Sequence, residues 1–397
     1  MRNMNRYSNI KKMVAGGDLF WSRTQEARMS GIVADNLGDG FMQVNDDKFI
    51  NMCSYSYLGL DSNIEILNGA ITALDSSRTL NSSTSRVRIC LPLLEEAELA
   101  LSDLFSVDVL TTVSCASAAA AMLPLLAAGV FTQNIPPLMV FDQCAHFCLS
   151  LMKAVCADES EVVTAPHNDL NFLEDCCKKK QRVAYIADGV YSTGGCANIS
   201  ELMTLQDKYG LFVLYDEAHG LSAQGANGCG LVLNTMGTLN NNTMIIASLN
   251  KGFGASGGAI FFDSSINKAN LLRFGGPLSW SQRINTAGLG AIIAAAKIHK
   301  STELQRLQNR LTTNIQLFDM HIKTPLAGDG LPIRLIPMGD EQHAITTATK
   351  LMKLGFYTSP LFYPVVPKST PGLRVMLRAN LASDDLKQFC TAVNSML

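Results

Sequence analysis

The chain has 397 residues, 47% hydrophobic and 17% charged, enough apolar material for a large core and too much for a disordered chain. A formal net charge of −2 leaves no electrostatic footprint for nucleic acid or an anionic membrane surface. Eleven cysteines, an odd number without a framework of paired spacings, read as reduced, mostly buried thiols of a cytoplasmic protein.

The first segment, residues 1–49, opens on the basic run MRNMNRYSNIKKM. No apolar core of signal-peptide length follows, so no secretion signal is expected. The segment reads as a helix and a short hairpin leading into the main body. The longest uncharged stretch, Val109 to Phe141, has the length of a membrane span. Pro124, Pro136 and Pro137 interrupt it, and its alanine and serine content favours a buried helix over a span.

From about Ile50 to Gly276 short apolar runs alternate with helical stretches. LMVFD (138–142), VAYIAD (183–188), LFVLYD (211–216), MIIAS (244–248) and GGAIFF (257–262) have strand length. Leu91–Phe105, Asp169–Lys180 and Ile199–Tyr209 have helical patterns. Continuous apolar strands separated by helices imply an α/β domain with a mainly parallel sheet covered on both faces. Ligands of such sheets sit beyond the carboxyl ends of the strands, where Asp142, Asp188, Asp216 and Ser248 fall. After Gly275-Gly276-Pro277 the character changes. A long helical stretch, about Gln282 to Phe318, precedes LPIRLIPM and LRVML, which gives residues 277–397 as a smaller α+β domain.

Three segments carry chemistry. Asp216-Glu217-Ala218-His219-Gly220 closes a strand. An acid there can hold a pyridine-type ring nitrogen protonated, as pyridoxal enzymes need, and His219 can reach the same ring. The pair would serve equally as a metal site or a helix cap. Ser248-Leu249-Asn250-Lys251-Gly252-Phe253-Gly254 places a lysine at the next strand end in glycine-rich backbone. Enclosed by apolar walls, such a lysine has a lowered pKa and forms Schiff bases; in the open it is a turn lysine. The segment lacks the G-x-x-x-x-G-K-[ST] pattern of nucleotide cradles. Ser114-Cys115-Ala116-Ser117 opens the alanine-rich helix, as a phosphate site or merely a cap. Cys144 and Cys148 enclose only His146, thin support for a metal, and no metal is expected.

Together, SYSYLGL (54–60), DQCAHFCLSL (142–151), DGVYSTGGCANISEL (188–202), YDEAHGLSAQGANGCG (215–230) and SLNKGFGASGGAIF (248–261) resemble the α-oxoamine synthase family of fold-type I pyridoxal-phosphate enzymes. That family includes 8-amino-7-oxononanoate synthase, 2-amino-3-ketobutyrate ligase, 5-aminolevulinate synthase, serine palmitoyltransferase and certain autoinducer synthases. The resemblance spans about residues 50–390. It implies pyridoxal 5′-phosphate as cofactor, a large domain over 50–276, a small one over 277–397, and a cytoplasmic homodimer with active sites at the subunit interface. Lys251 would hold the cofactor as a Schiff base and later move the α-proton. Asp216 would pair with the ring nitrogen, His219 would bond the phenolic oxygen with Ser192 nearby, and His146 would stack on the ring. Ser248 and the backbone of Cys115 and Ala116 would take the phosphate, joined by Ser281 across the subunit interface. Arg374 would grip the amino-acid carboxylate, beside Tyr55.

The implied reaction condenses an amino acid with an acyl thioester of CoA or a carrier protein, usually with decarboxylation, to an α-amino ketone. Departures from the family pattern lie around the substrate. Tyr55-Ser56-Tyr57 is closest to serine palmitoyltransferase and favours serine or another small amino acid. SSTSRVRICLPLLEEAE lacks the family's glycine and has Leu94 where the family has histidine. Trp280-Ser281-Gln282-Arg283-Ile284-Asn285-Thr286 replaces a hydroxyl-rich segment ending in two prolines, and Asp188 replaces a glutamate. These changes leave the thioester open, with a carrier protein as one reading. The alternatives are another pyridoxal reaction, such as transamination or decarboxylation, and a non-catalytic partner subunit, which Lys251 argues against.

Overall fold

The computed structural model describes residues 9–263, 265–266 and 268–397; the basic residues 1–8 lie outside the described residues. The chain divides into two compact units. One comprises 63–191 and 196–304; the other comprises 9–62, 192–195 and 305–397.

The first unit is organised by a seven-stranded sheet. Its strands are β1 (Asp108–Thr112), β2 (Leu138–Asp142), β3 (Val162–Ala165), β4 (Val183–Asp188), β5 (Phe212–Asp216), β6 (Thr243–Ser248) and β7 (Gly258–Phe262). Their spatial order is β1-β7-β6-β5-β4-β2-β3. All neighbours pair in parallel except β7, which runs antiparallel between β6 and β1. Every residue of β2, β4, β5, β6 and β7 is buried, which is why these strands read as unbroken apolar runs. The β1 and β3 strands, DVLTT and VVTA, are short and partly exposed, and no apolar run announces them.

The register sets the chemistry at one end of the sheet. Asp188 of β4 stands opposite Asp216 of β5, and Ser248 of β6 opposite Gly258 of β7. The alanine-rich segment forms helix Cys115–Ala127, with Ser114 as N-cap accepting from the Ser117 amide. A Cβ on Gly258 would lie 2.4 Å from the Ser114 carbonyl carbon, so only glycine lets β7 pass under that turn. The uncharged stretch 109–141 is thus strand, helix and strand. Among the described residues no helix is long and apolar enough to cross a membrane.

The run expected as one helix over 282–318 is two, Thr286–His299 and Thr302–His321. The break is at Ser301, whose hydroxyl donates to the Ile298 carbonyl and accepts from the Glu303 amide, so it ends one helix and caps the next. Helix Thr286–His299 packs on Ile64–Ser77 at backbone contact: a Cβ on Gly290 would lie 2.3 Å from the Gly69 carbonyl oxygen. This contact makes the helix part of the first unit, which therefore continues past Pro277 to Leu304.

The second unit contains helix Asn9–Glu26 and a meander of strands Asp35–Gly38, Phe41–Val44 and Asp47–Asn51, so helix and hairpin occur in the anticipated order. Phe356–Tyr357 adds a parallel strand to Asp47–Asn51. A separate sheet joins Ile333–Pro337, Gly372–Met376 and Ser359–Leu361, with helices Glu341–Lys353 and Ser383–Asn394 in the same unit.

Candidate active site

In the first unit the strand ends gather titratable groups into one cluster. Lys251 lies in the turn between β6 and β7, with its Nζ 2.9 Å from Nε2 of His219. Burial foremost lowers the Lys251 pKa, while the Asp216 carboxylate opposes that shift. The amine is therefore more readily available as the free base than a surface lysine. The bland reading of Lys251 as an open turn lysine does not describe this setting.

Asp216 ends β5 and is buried. Its Oδ1 accepts from the Ala218 amide at 2.9 Å and from Cys115 Sγ at 3.6 Å. Its Oδ2 accepts from Cys148 Sγ at 3.5 Å. Asp188, one strand over, accepts from the His146 amide at 2.9 Å. Burial, and next the Asp216 charge, push the Asp188 pKa well up. Glu217 is fully buried and is raised to about 8 by desolvation, then by Asp216. The neutral forms of Asp188 and Glu217 are thus favoured.

His146 is the N-cap of the short helix Phe147–Ser150. Its Nδ1 accepts from the Cys148 amide at 3.3 Å and lies 3.1 Å from Cys148 Sγ. The hydrogen bond to Cys148 raises the His146 pKa against the effect of burial. Cys148, read in the sequence only with Cys144 as thin support for a metal around His146, is here a direct partner of His146 and Asp216.

Cys115 and Ala116 supply the first-turn amides of helix Cys115–Ala127, which an α-helix leaves without acceptors of its own. Ser248 is buried at the end of β6 and its hydroxyl donates to Asn250 Oδ1. Ser281 is the exposed C-cap of the short helix Gly276–Trp280. The loop around Arg86 is tied down by a bidentate ion pair to Glu98, both side chains under a tenth exposed, which the sequence did not single out.

The second unit brings together the other anticipated residues. Arg374, on strand Gly372–Met376, donates from Nη2 to the Tyr55 hydroxyl at 3.0 Å and from Nη1 to the Ser192 carbonyl at 3.4 Å. Its guanidinium lies 5.6 Å from the Tyr55 ring centre. Cys53 Sγ donates to the Arg374 carbonyl and accepts from the Ser359 amide, fixing this backbone from two sides.

The cluster provides a weakly basic amine, a buried carboxylate held by two thiols and a backbone amide, two imidazoles and a helix N-terminus. That donor set suits an aldehyde-bearing, phosphorylated pyridine: the amine for the aldehyde, the carboxylate for the ring nitrogen, the amides for the phosphate.

A family model described as aminotransferase class I and II matches residues 47–393. The chain is 27% identical over 388 residues to 8-amino-7-oxononanoate synthase from Petrotoga mobilis, covering 95% of this chain and 93% of that protein. Among solved structures it is similar to Sphingomonas wittichii serine palmitoyltransferase, with TM-score 0.85 and 18% identity over 98% of both chains. It is also similar to a high-resolution structure of SPT with a PLP internal aldimine, with TM-score 0.83, 18% identity, and coverage of 97% and 99%. At these identities the two structures speak for the fold, the fold-type I architecture anticipated from the motifs.

Proposed function

The chain belongs to the aminotransferase class I and II family, within which it is a pyridoxal-phosphate-dependent α-oxoamine synthase, and we propose that it joins a small amino acid of the serine class to an acyl thioester through the residues grouped around Lys251. The observation that carries this reading is the contact of Lys251 Nζ with His219 Nε2 at 2.9 Å, in the same buried cluster as Asp216.

Pyridoxal phosphate, when bound, supplies an electron sink for the charge left as the α-proton departs. Lys251, its pKa lowered by burial, would hold the cofactor's aldehyde through its free amine and serve as base for the α-proton. Asp216, buried at the end of β5, would face the ring nitrogen and keep it protonated. His219 positions Lys251 and bonds the phenolic oxygen, with Ser192 assigned beside it. His146, its orientation fixed by its own helix cap, would cover a face of the ring. The amides of Cys115 and Ala116, Ser248, and Ser281 of a second copy take the phosphate. Arg374, supported by Tyr55, binds the amino-acid carboxylate through its planar fork.

This assignment implies a homodimer in the cytoplasm. The departures at Arg86–Leu94 and Trp280–Thr286 support an acyl donor other than a common CoA ester, and we assign a carrier-protein thioester. The test is mass spectrometry of products from serine, alanine and glycine, each with acyl-CoA and acyl-carrier-protein donors. An α-amino ketone formed from the carrier-protein donor is expected. Exclusive use of short acyl-CoAs sinks the donor assignment, and conversion of the cofactor to its amine form by amino acid alone, without ketone, sinks the condensation itself.

A further inference from the structure

Two thiols flank the buried carboxylate that the reaction reserves for the ring nitrogen. Cys115 Sγ is 3.6 Å from Asp216 Oδ1 and Cys148 Sγ is 3.5 Å from Asp216 Oδ2. One donor atom from each of the three residues lies within 4.8 Å of the other two. In a tetrahedral zinc centre, bonds of roughly 2.3 Å to sulfur and 2.1 Å to carboxylate oxygen place S and O about 3.6 Å apart. The two S···O contacts have that length but end on different oxygens of the carboxylate, so a shared ion needs a small turn of the Asp216 side chain to set one oxygen, or both as a bidentate pair, between the sulfurs. The sulfurs come from different elements, the N-terminus of helix Cys115–Ala127 and helix Phe147–Ser150, and the oxygen from the end of β5, so packing holds all three.

We propose that, in the absence of pyridoxal phosphate, Cys115, Cys148 and Asp216 bind one thiophilic divalent cation of the zinc class, and that this ion and the cofactor exclude each other because both need Asp216. The exclusion rests on the role given to Asp216 above; the metal site does not. His146 Nδ1 already accepts from the Cys148 amide, so the fourth position falls to water. Binding releases the thiol protons, so two thiolates and one carboxylate face the dication.

A second grouping, Asp142, Cys144 and His167, lacks these properties. Asp142 is saturated by the amides of Cys144 and Asn168, by His167 and by the Tyr185 hydroxyl. His167 is raised to about 10, chiefly by Asp142, and stays protonated.

The test is a cadmium titration of the full-length chain freed of pyridoxal phosphate, under a non-chelating reductant, following the thiolate-to-cadmium charge-transfer absorbance. Saturation at one equivalent is expected, with the band lost in C115S and in C148S and kept in C176S. No band, or a band that survives both substitutions, overturns the site. Adding pyridoxal phosphate to the cadmium form should release one equivalent to a colorimetric chelator; joint retention of ion and cofactor overturns the exclusion. Borohydride treatment followed by peptide mass spectrometry reports separately on the functional reading. If the cofactor does not attach at Lys251 while cadmium still binds, that reading falls and the metal site stands.

Discussion

Glu98→Gln removes one charge from the most enclosed ion pair of the first unit. Arg86 donates to Oε1 at 2.9 Å and to Oε2 at 2.8 Å, while the Thr111 amide and hydroxyl reach Oε1 at 2.7 and 2.9 Å. The two side chains are 7% and 8% exposed. Glutamine keeps an oxygen for Thr111 but turns an NH2 towards one guanidinium nitrogen, so Arg86 is left buried and uncompensated. Breaking one partner of such a pair costs about 3–5 kcal/mol. With a urea m-value of about 3 kcal/mol/M, at the upper end for small domains, the midpoint falls by about 1–1.7 M. Urea unfolding followed by tryptophan fluorescence, with m checked for constancy, measures the change. A midpoint shift below about 0.3 M, the roughly 1 kcal/mol of a solvent-exposed pair, refutes the reasoning that burial makes this pair costly to break.

Lys251→Ala should abolish borohydride trapping and lower turnover by about 10²–10⁴-fold through loss of proton transfer alone, read by product formation at saturating substrates. Arg374→Lys keeps the charge but loses the planar fork, so KM for the amino acid should rise about 10–100-fold with a smaller effect on kcat. An unchanged KM removes Arg374 from carboxylate binding. Glu217 is raised from an ordinary carboxylate value to about 8, so between about pH 4.5 and 8 the folded chain holds a proton that the unfolded chain releases. Its contribution to stability is therefore present at low pH and lost as pH rises to 8; Glu217→Gln should flatten that decline in urea midpoints from pH 6 to 8. His299, lowered to about 4 by burial, has the opposite sign: its contribution is lost as pH falls from about 6.5 towards 4. His299→Gln should make unfolding less sensitive to acid over that window.

Much of the fold was legible because the interior strands are buried on both faces. LMVFD and VAYIAD end where β2 and β4 end, since the last apolar residue is followed by the aspartate that faces the site. The β1 and β3 strands were not legible, because flanking strands carry fewer apolar residues and DVLTT resembles a loop. The helix Thr286–His299 misled for a different reason. Its partner surface is a pair of glycines, Gly69 and Gly290, and backbone contact leaves no hydrophobic stripe to show which unit it joins. Within the site, residues carrying distinctive chemistry, Lys251, Asp216 and His219, stood out by their spacing on successive strand ends. Glu98 and Glu217 did not, because their effects come from enclosure and from partners distant in sequence, such as Thr111 for Glu98 and Val232 for Glu217.

The lone antiparallel strand β7 also fixes an order of assembly. The Lys251 turn is framed by β6 and β7, neighbours in sequence, so it can form as soon as residue 262 is available. Strand β1, which leads into the helix that begins at Cys115, has no pairing partner until then, because it joins the sheet only through β7, about 150 residues later in the chain. A nascent chain ending before β7 would have Asp216 in position beside β4 but neither the second strand that frames the Lys251 turn nor a paired β1. Chains truncated before β7, lacking the strand that closes the Lys251 turn, should therefore emerge unable to retain the cofactor.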